Sequence, residues 1–335
     1  MSYVSDKLRT IPYLRFLGDM GTGKTRALDV IGGICYKPIS ASGTATVSAI
    51  FRLLQMLDIS TLVIDEADFN SSDERADITK ILNGGFETGR PVLRTNKDTH
   101  EIETFKVYGP KVLASRQSFT DQALESRCFP IIMTQTARKD IPIQLPRKFD
   151  TEQRELREKL LTYRMMNYAI IDPDKVCDID LGEIEPRLKQ MALPMLNVIG
   201  IDPQTVERFK GFLKNHSRTI IEARGNEIDG IILRYLFELC PWDHPTTSQD
   251  ILYKMQEVQG SESKMTPQKI GKRLRVLGME VRQTKVDDIN KRVIIIDKVK
   301  ARALAKRYFL PEDLPEDLKE VPDPIPIDGF EGVKS

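Results

Sequence analysis

The sequence predicts an α/β fold followed by a smaller, basic helix-and-strand module, and three observations carry that prediction. Near the start, a glycine-rich octet separates a strand-like run, Tyr13-Leu14-Arg15-Phe16-Leu17, from a helix-like run from Lys24 to Ile31. A β-branched run, Thr61-Leu62-Val63-Ile64, ends on two carboxylates, Asp65 and Glu66. Beyond residue 226, three helix-like segments lead into two strand-like runs dense in Lys and Arg.

The octet is Gly18-Asp19-Met20-Gly21-Thr22-Gly23-Lys24-Thr25, and it fits the phosphate-loop pattern G-x-x-x-x-G-K-[ST]. Glycines let the backbone approach phosphate oxygens in conformations a side chain forbids. The loop N–H groups and the following helix N-terminus turn positive charge toward an anion. Lys24 is expected to reach the β- and γ-phosphates of ATP and Thr25 to ligate Mg²⁺, with Arg26 continuing the nucleotide-binding set into the helix. The run ending at Asp65 reads as a buried parallel strand. Asp65 is then the second Mg²⁺ group, and Glu66 the residue that orients and deprotonates an attacking water. The loop begins at Gly18, with room for one strand ahead of it. Other segments, or a segment on another polypeptide, are therefore expected to form the adenine pocket.

Composition sets the frame for these motifs. The 335 residues suffice for two or three domains. With 40% hydrophobic and 30% charged residues the chain is expected to be a soluble globular protein. Net charge is +1, so any nucleic-acid surface must be local. Cys35, Cys128, Cys177 and Cys240 lie at least 49 residues apart, which argues for a reducing, cytoplasmic setting and against a zinc site. No signal peptide or membrane-spanning run is legible.

Residues 1–147 read as the α/β domain, with strands at 13–17, 34–38, 61–65, 111–115 and 129–133 and helices at 24–32, 46–57 and 74–84. Residues 86–108 form two short runs around Asn96-Lys97-Asp98, as an inserted β-hairpin would. Residues 148–225 read as helical, with Leu156, Leu160, Leu161 and Met165 at helical spacing and a second helix opening at Glu185-Pro186. In 226–309, helices are expected near 227–239, from Thr246–Asp250 and from Thr266-Pro267. Strands follow at Met279–Thr284 and Arg292–Ile296: a winged helix-turn-helix. Residues 310–335 hold five prolines and eight acidic residues against two lysines, and are expected to be disordered.

The order of elements over residues 12–225 resembles the AAA+ class of ATPases, in which a helical lid follows an α/β P-loop core. That resemblance implies three roles. Ser115, ending Lys111-Val112-Leu113-Ala114-Ser115, stands where the class senses the γ-phosphate, although it also reads as an ordinary strand-terminal serine. Ala123-Leu124-Glu125-Ser126-Arg127-Cys128 is similar to the Ser-Arg-Cys element of clamp loaders. It would make Arg127 an arginine finger reaching the site of a neighbouring subunit, unless it pairs with Glu125. Arg187, with Arg224 as the alternative, would be the lid arginine contacting the nucleotide from above. In helicases of the class a hairpin before the fourth strand grips the DNA backbone, which implicates Arg94 and Lys97 among the hairpin's cations.

From Gly260 to Arg307, fourteen Lys/Arg stand against five Asp/Glu. On the third helix, Ile270, Leu274 and Leu277 share a core face. Gln268, Lys269, Lys272, Arg273 and Arg275 lie opposite or at the flanks, as on a recognition helix against DNA. Arg282 and Lys285 on the wing would meet phosphates. A winged helix used for protein contacts is the open alternative.

Nearly the whole chain apart from the acidic tail resembles a poorly characterised ATPase family of phages, plasmids and integrated elements, often fused to or encoded near primase domains. The resemblance rests on Leu14–Asp19, Ile64–Asp68, Ala123–Cys128 and the Thr266–Ile270 helix with its wing. It implies an oligomeric, ring-forming DNA helicase or translocase, a hexamer among the possible rings, acting with ATP and Mg²⁺ in mobile-element replication. A primase or other replication protein is the implied partner. Primer synthesis is not expected, because the carboxylates for it would lie upstream. The alternatives are an ATP-switched DNA-binding loader or regulator without unwinding activity, and a degenerate scaffold, against which the intact Lys24, Thr25 and Asp65-Glu66 argue.

Overall fold

The structure, a computed structural model, describes residues 1–41, 46–65, 72–96, 99–142, 144–176, 179–200, 202–259, 265–286 and 288–322. It divides into two compact units, Met1–Leu213 and Lys214–Ser335. The division falls inside the long helix Pro203–Gly225. No helix among the described residues is long and apolar enough to cross a membrane.

The first unit is built on a parallel five-stranded sheet: β1 (Tyr13–Leu17), β2 (Pro38–Ala41), β3 (Thr61–Ile64), β6 (Lys111–Ser115) and β7 (Cys128–Ile132). Their order across the sheet is β2-β3-β6-β1-β7. A separate antiparallel pair, β4 (Val92–Thr95) and β5 (Ile102–Phe105), is the hairpin expected between the third and fourth core strands. The second core strand lies at 38–41 rather than 34–38. Helix α1 (Lys24–Ile34) runs on through the apolar Ile34 before the chain turns at Cys35.

Both faces of the sheet are covered, as parallel pairing demands. On one face, Phe16, Val63, Val112 and Ala114 pack against Leu28, Ala27 and Ile31 of α1. Gly32 and Gly33 permit this close approach. A Cβ on Gly32 would stand 3.0 Å from the Val63 methyls, and one on Gly33 would collide with Gln153 of α5 (Lys148–Asn167). The α5 side chains in turn hydrogen-bond the end of α1, Gln153 to the Asp29 carbonyl and Arg157 to that of Gly33. On the other face, Tyr13, Leu62, Ile64 and Leu113 pack with α2 (Val47–Met56), α3 (Ser72–Gly84) and α6 (Pro186–Ile199).

Two charges are buried on that second face. Arg15 is fully buried and donates through both terminal nitrogens to the two oxygens of Glu125, each at 2.5 Å. This fork-to-fork pair ties β1 to the short α4 (Gln122–Glu125). Lys111 is 2% exposed, and its Nζ donates to the carbonyls of Val107 and Gly109 at 2.9 Å each and of Gly85 at 3.4 Å. It thereby stitches the end of α3 and the hairpin exit to β6.

The second unit packs α8 (Ile228–Glu238), α9 (Ser248–Gln259), α10 (Pro267–Val276) and α11 (Lys298–Tyr308) around their own apolar core. A three-stranded antiparallel sheet, β8 (Thr246–Thr247), β10 (Ile289–Ile295) and β9 (Glu280–Val286), completes it. Residues 310–322 are not a loose tail. Leu310, Leu314 and Leu318 are buried, Arg302 donates to the Leu318 carbonyl at 2.8 Å, and Glu312 pairs with Arg218. Three leucines at four-residue spacing outweigh the acidic composition there. Residues 323–335 lie outside the described residues.

Burial pushes the Lys111 ammonium down to about 7. The unfolded-chain value is about 10.4, so the unfolded state binds more protons across that window, and stability from this group rises as pH rises through it. Lys111→Met takes the Nζ donor from the Val107 and Gly109 carbonyls and is expected to cost about 2 kcal/mol. The loss should be larger at pH 9 than at pH 6.5 in urea unfolding. Parallel pH profiles for the two proteins would contradict this account.

Candidate functional site

The carboxyl edge of the parallel sheet gathers the first set of residues. The phosphate-type loop leaves β1 there, Asp65 follows β3, Ser115 ends β6 and Met133 follows β7. Gly21 and Gly23 take left-handed φ values of 79° and 89°. Gly18 is needed for a different reason: a Cβ there would stand 2.4 Å from the Met133 carbonyl oxygen. The loop is tied to both neighbouring strands, Gly18 N–H to the Ser115 carbonyl at 3.3 Å and Met133 N–H to that of Leu17 at 2.7 Å. Lys24 Nζ donates to the carbonyls of Gly18 and Asp19, both at 2.7 Å, and Thr22 Oγ1 donates to the Asp19 carbonyl. Arg26 donates to the Pro142 carbonyl, drawing the segment after β7 over α1.

Across the loop mouth, Thr25 Oγ1 donates to Asp65 Oδ2 at 2.9 Å. A hydroxyl and one carboxylate side by side suit Mg²⁺, which takes few protein ligands and keeps several waters. Among the described residues no group of three or more His, Cys, Asp or Glu makes a fuller metal cage. The Ser115 Oγ is buried, has no hydrogen-bond partner among the described residues and lines the same cleft. That cleft has a volume of about 980 Å³ and is lined by Met20 to Ala27, Asp65, Ser115 and the 133–136 segment. Glu66 lies outside the described residues.

The cleft also contains residues that sequence reasoning missed. Val30, Ile31, Met133 and Ile141 give it an apolar side, and Gln135 and Arg116 a polar one. Arg116 was recoverable as a cation directly after Ser115. The 133–141 segment carries no sequence signal, because its place is set by β7 lying beside β1.

The two arginines that the resemblance implicates, Arg127 in a neighbouring subunit's site and Arg187 in its own, both lie away from this cleft. Tyr13 N–H donates to the Arg127 carbonyl, so Arg127 stands at the amino edge of the sheet. Five residues of β1 separate that edge from the loop, about 16 Å at strand rise. Arg127 is not paired with Glu125, which is held by Arg15; its guanidinium donates to the Ala123 carbonyl. Arg187 is a correction to the sequence-based picture. It does not line the cleft but stands with Arg127, its guanidinium 4.3 Å from the Phe86 centroid and bonded to Gln190. Burial, and then the Arg127 charge, hold its affinity for its proton below the usual arginine value. Arg224, the alternative, donates to the Arg307 carbonyl within the second unit.

The hairpin cation Arg94 is likewise turned inward. It pairs with Asp77 at 3.2 Å and lies 4.9 Å from the Phe51 centroid, which makes it an anchor of the hairpin rather than a free DNA contact. Lys97 lies outside the described residues.

In the second unit, Thr266 caps α10, accepting from the Lys269 N–H, and Pro267 opens the helix. Ile270, Gly271 and Leu274 are buried, while Gln268, Lys269, Lys272 and Arg275 are exposed on the outer side. Arg273 is engaged by Asp229 at 2.6 Å and Arg282 by Glu280 at 2.5 Å, so these two offer less charge to a ligand than expected. Lys285 is exposed on β9.

No protein-family model and no curated protein matches this chain.

The Gly18 contact yields a direct test. Gly18→Ala drives a methyl into backbone rather than a yielding side chain and should cost about 1–3 kcal/mol in urea unfolding. An unchanged unfolding midpoint would contradict the close approach of Met133 to the loop.

Proposed function

We propose that the chain is an ATP-hydrolysing, DNA-binding motor of the AAA+ class that works as a ring-forming oligomer. The observation that carries the proposal is the Thr25–Asp65 hydrogen bond across the mouth of a complete phosphate loop, beside the orphaned Ser115 hydroxyl. The strand order supports it, because β6 between β1 and β3 brings Ser115 between the loop and Asp65. The triphosphate would lie on the loop N–H groups and the start of α1, with Lys24 at its β- and γ-oxygens. Thr25 and Asp65 would hold Mg²⁺, which when bound neutralises charge on the phosphate oxygens. Ser115 would donate to the γ-phosphate or to the attacking water. The apolar side made by Val30, Ile31 and Ile141 would take the adenine. Glu66 would activate the water. Arg127, out of reach of its own loop, would complete the site of a neighbouring copy.

The second unit supports a winged-helix reading: three helices, a capped basic third helix and a two-stranded ribbon beyond it. Exposed Lys272, Arg275 and Lys285 are its phosphate contacts. The resemblance to mobile-element ATPases makes replication the setting and a primase or other replication protein the partner.

ATP hydrolysis with and without single-stranded and duplex DNA tests the core of this proposal. Lys24→Ala and Asp65→Asn should each lower kcat about 10²-fold or more. Absence of turnover in the wild-type protein, or full activity in Lys24→Ala, would contradict it. The double variant Lys272→Glu/Arg275→Glu should weaken duplex binding and flatten its salt dependence, with the folded state unaffected. Equal affinity for DNA would remove the winged-helix reading.

The inward Arg94 favours a second reading, an ATP-switched loader that binds DNA without unwinding it. Strand displacement on forked DNA separates the two: unwinding by the ATP-hydrolysing oligomer supports the motor, and none supports the loader.

A further inference from the structure

Arg127 and Arg187 share one aromatic ring. Their guanidinium carbons lie 5.6 Å and 4.3 Å from the centroid of Phe86, which is 2% exposed. Two like charges this close usually have a carboxylate between them. Two nearby carboxylates are engaged by other arginines, although Glu87 also attracts Arg187. Glu125 holds Arg15 through both oxygens, and Glu87 holds Arg90 at 2.8 Å. The hydrogen bonds the pair does make go to neutral acceptors, the Ala123 carbonyl and the Gln190 side chain. The Nε of each is buried without a hydrogen-bond partner among the described residues. Among the described residues, neither arginine makes a salt bridge with a carboxylate.

A half-buried double cation of this kind is costly. Arginine cannot relieve it by losing a proton, and desolvated like charges repel strongly. A multiply charged anion would offset that cost, and Phe86 holds both planar donor forks ready for it. The anion cannot be the one in the same chain's cleft, since the pair stands at the amino edge of the sheet and the cleft at the carboxyl edge. An amino edge that docks on a carboxyl edge is a heterologous contact, and repeated contacts of that kind close into rings where the rotation between copies closes.

We propose that Arg187 is a second arginine supplied in trans: with Arg127 on the Phe86 ring, it grips the triphosphate in the cleft of a neighbouring copy. This rests on the reading of the cleft as an ATP site completed between copies. It differs from a lid arginine that serves the nucleotide of its own chain. The pair supplies up to four terminal N–H-bearing nitrogens to one anion, and both Nε groups lose their isolation when it is in place.

Subunit mixing tests the assignment with full-length protein. Arg187→Ala should lower kcat about 10²-fold while ATP still binds its intact cleft. Lys24→Ala is inactive for the opposite reason, with a disabled cleft and intact arginines. Mixed one to one, the two inactive proteins should regain hydrolysis, since random assembly completes about one interface in four. An arginine acting on its own chain's nucleotide gives no recovery, because neither protein then holds a complete site. Arg187→Lys, which keeps the stem over Phe86 and the charge but lacks the planar fork, serves where Arg187→Ala folds poorly. It should remain impaired alone and recover on mixing. No recovery with Arg187 variants, alongside recovery for Arg127→Ala mixed with Lys24→Ala, overturns the Arg187 assignment and leaves the shared ATP site standing. No recovery for either pair overturns the shared site, and this proposal with it.

Discussion

Parallel pairing of β1 between β6 and β7 is the constraint on which the first unit depends. It forces the carboxyl ends of the five strands onto one edge and their amino ends onto the other. The phosphate-type loop, Asp65 and Ser115 therefore meet without being near one another in sequence. The same pairing holds Arg127 a strand length away, because its carbonyl is bonded to the first residue of β1. A single hydrogen-bond pattern thus gathers the phosphate-type loop, Asp65 and Ser115 at one edge and holds Arg127 at the opposite edge.

Buried charge makes that arrangement rigid. The Arg15–Glu125 pair is expensive to bury, but once formed it cannot lose one partner without leaving an uncompensated ion. It fixes α4 against β1 and so fixes where Arg127 begins. It also commits Glu125, two residues before Arg127, to Arg15. Lys111 works in the same sense at the foot of β6, holding the carbonyls that precede and follow the hairpin.

Much of this was legible in the sequence. The octet Gly18–Thr25, the apolar run into Asp65 and the strand ending at Ser115 each carry a local chemical signature, and the structure brings them together. The hairpin at 92–105 and the capped helix at Thr266-Pro267 were legible for the same reason. What sequence could not give was direction and pairing. Arg94 and Arg273 read as free cations, yet each finds a carboxylate distant in the chain, Asp77 and Asp229. Arg187 read as a lid residue, and Phe86 carried no signal; only the packing of α6 near the end of α3 puts them in contact. The 310–322 segment reads as acidic and proline-rich, and its leucines matter only once Arg302 and α11 are in place to receive them.

A nucleotide site complete only between copies is the proposal at the centre of this reading. Its most direct test is ATP turnover per subunit measured across protein concentration, with assembly followed in parallel by light scattering. The account predicts turnover that is negligible where the protein is monomeric and rises cooperatively as the oligomer forms. Turnover per subunit that stays constant down to monomer concentrations would contradict it.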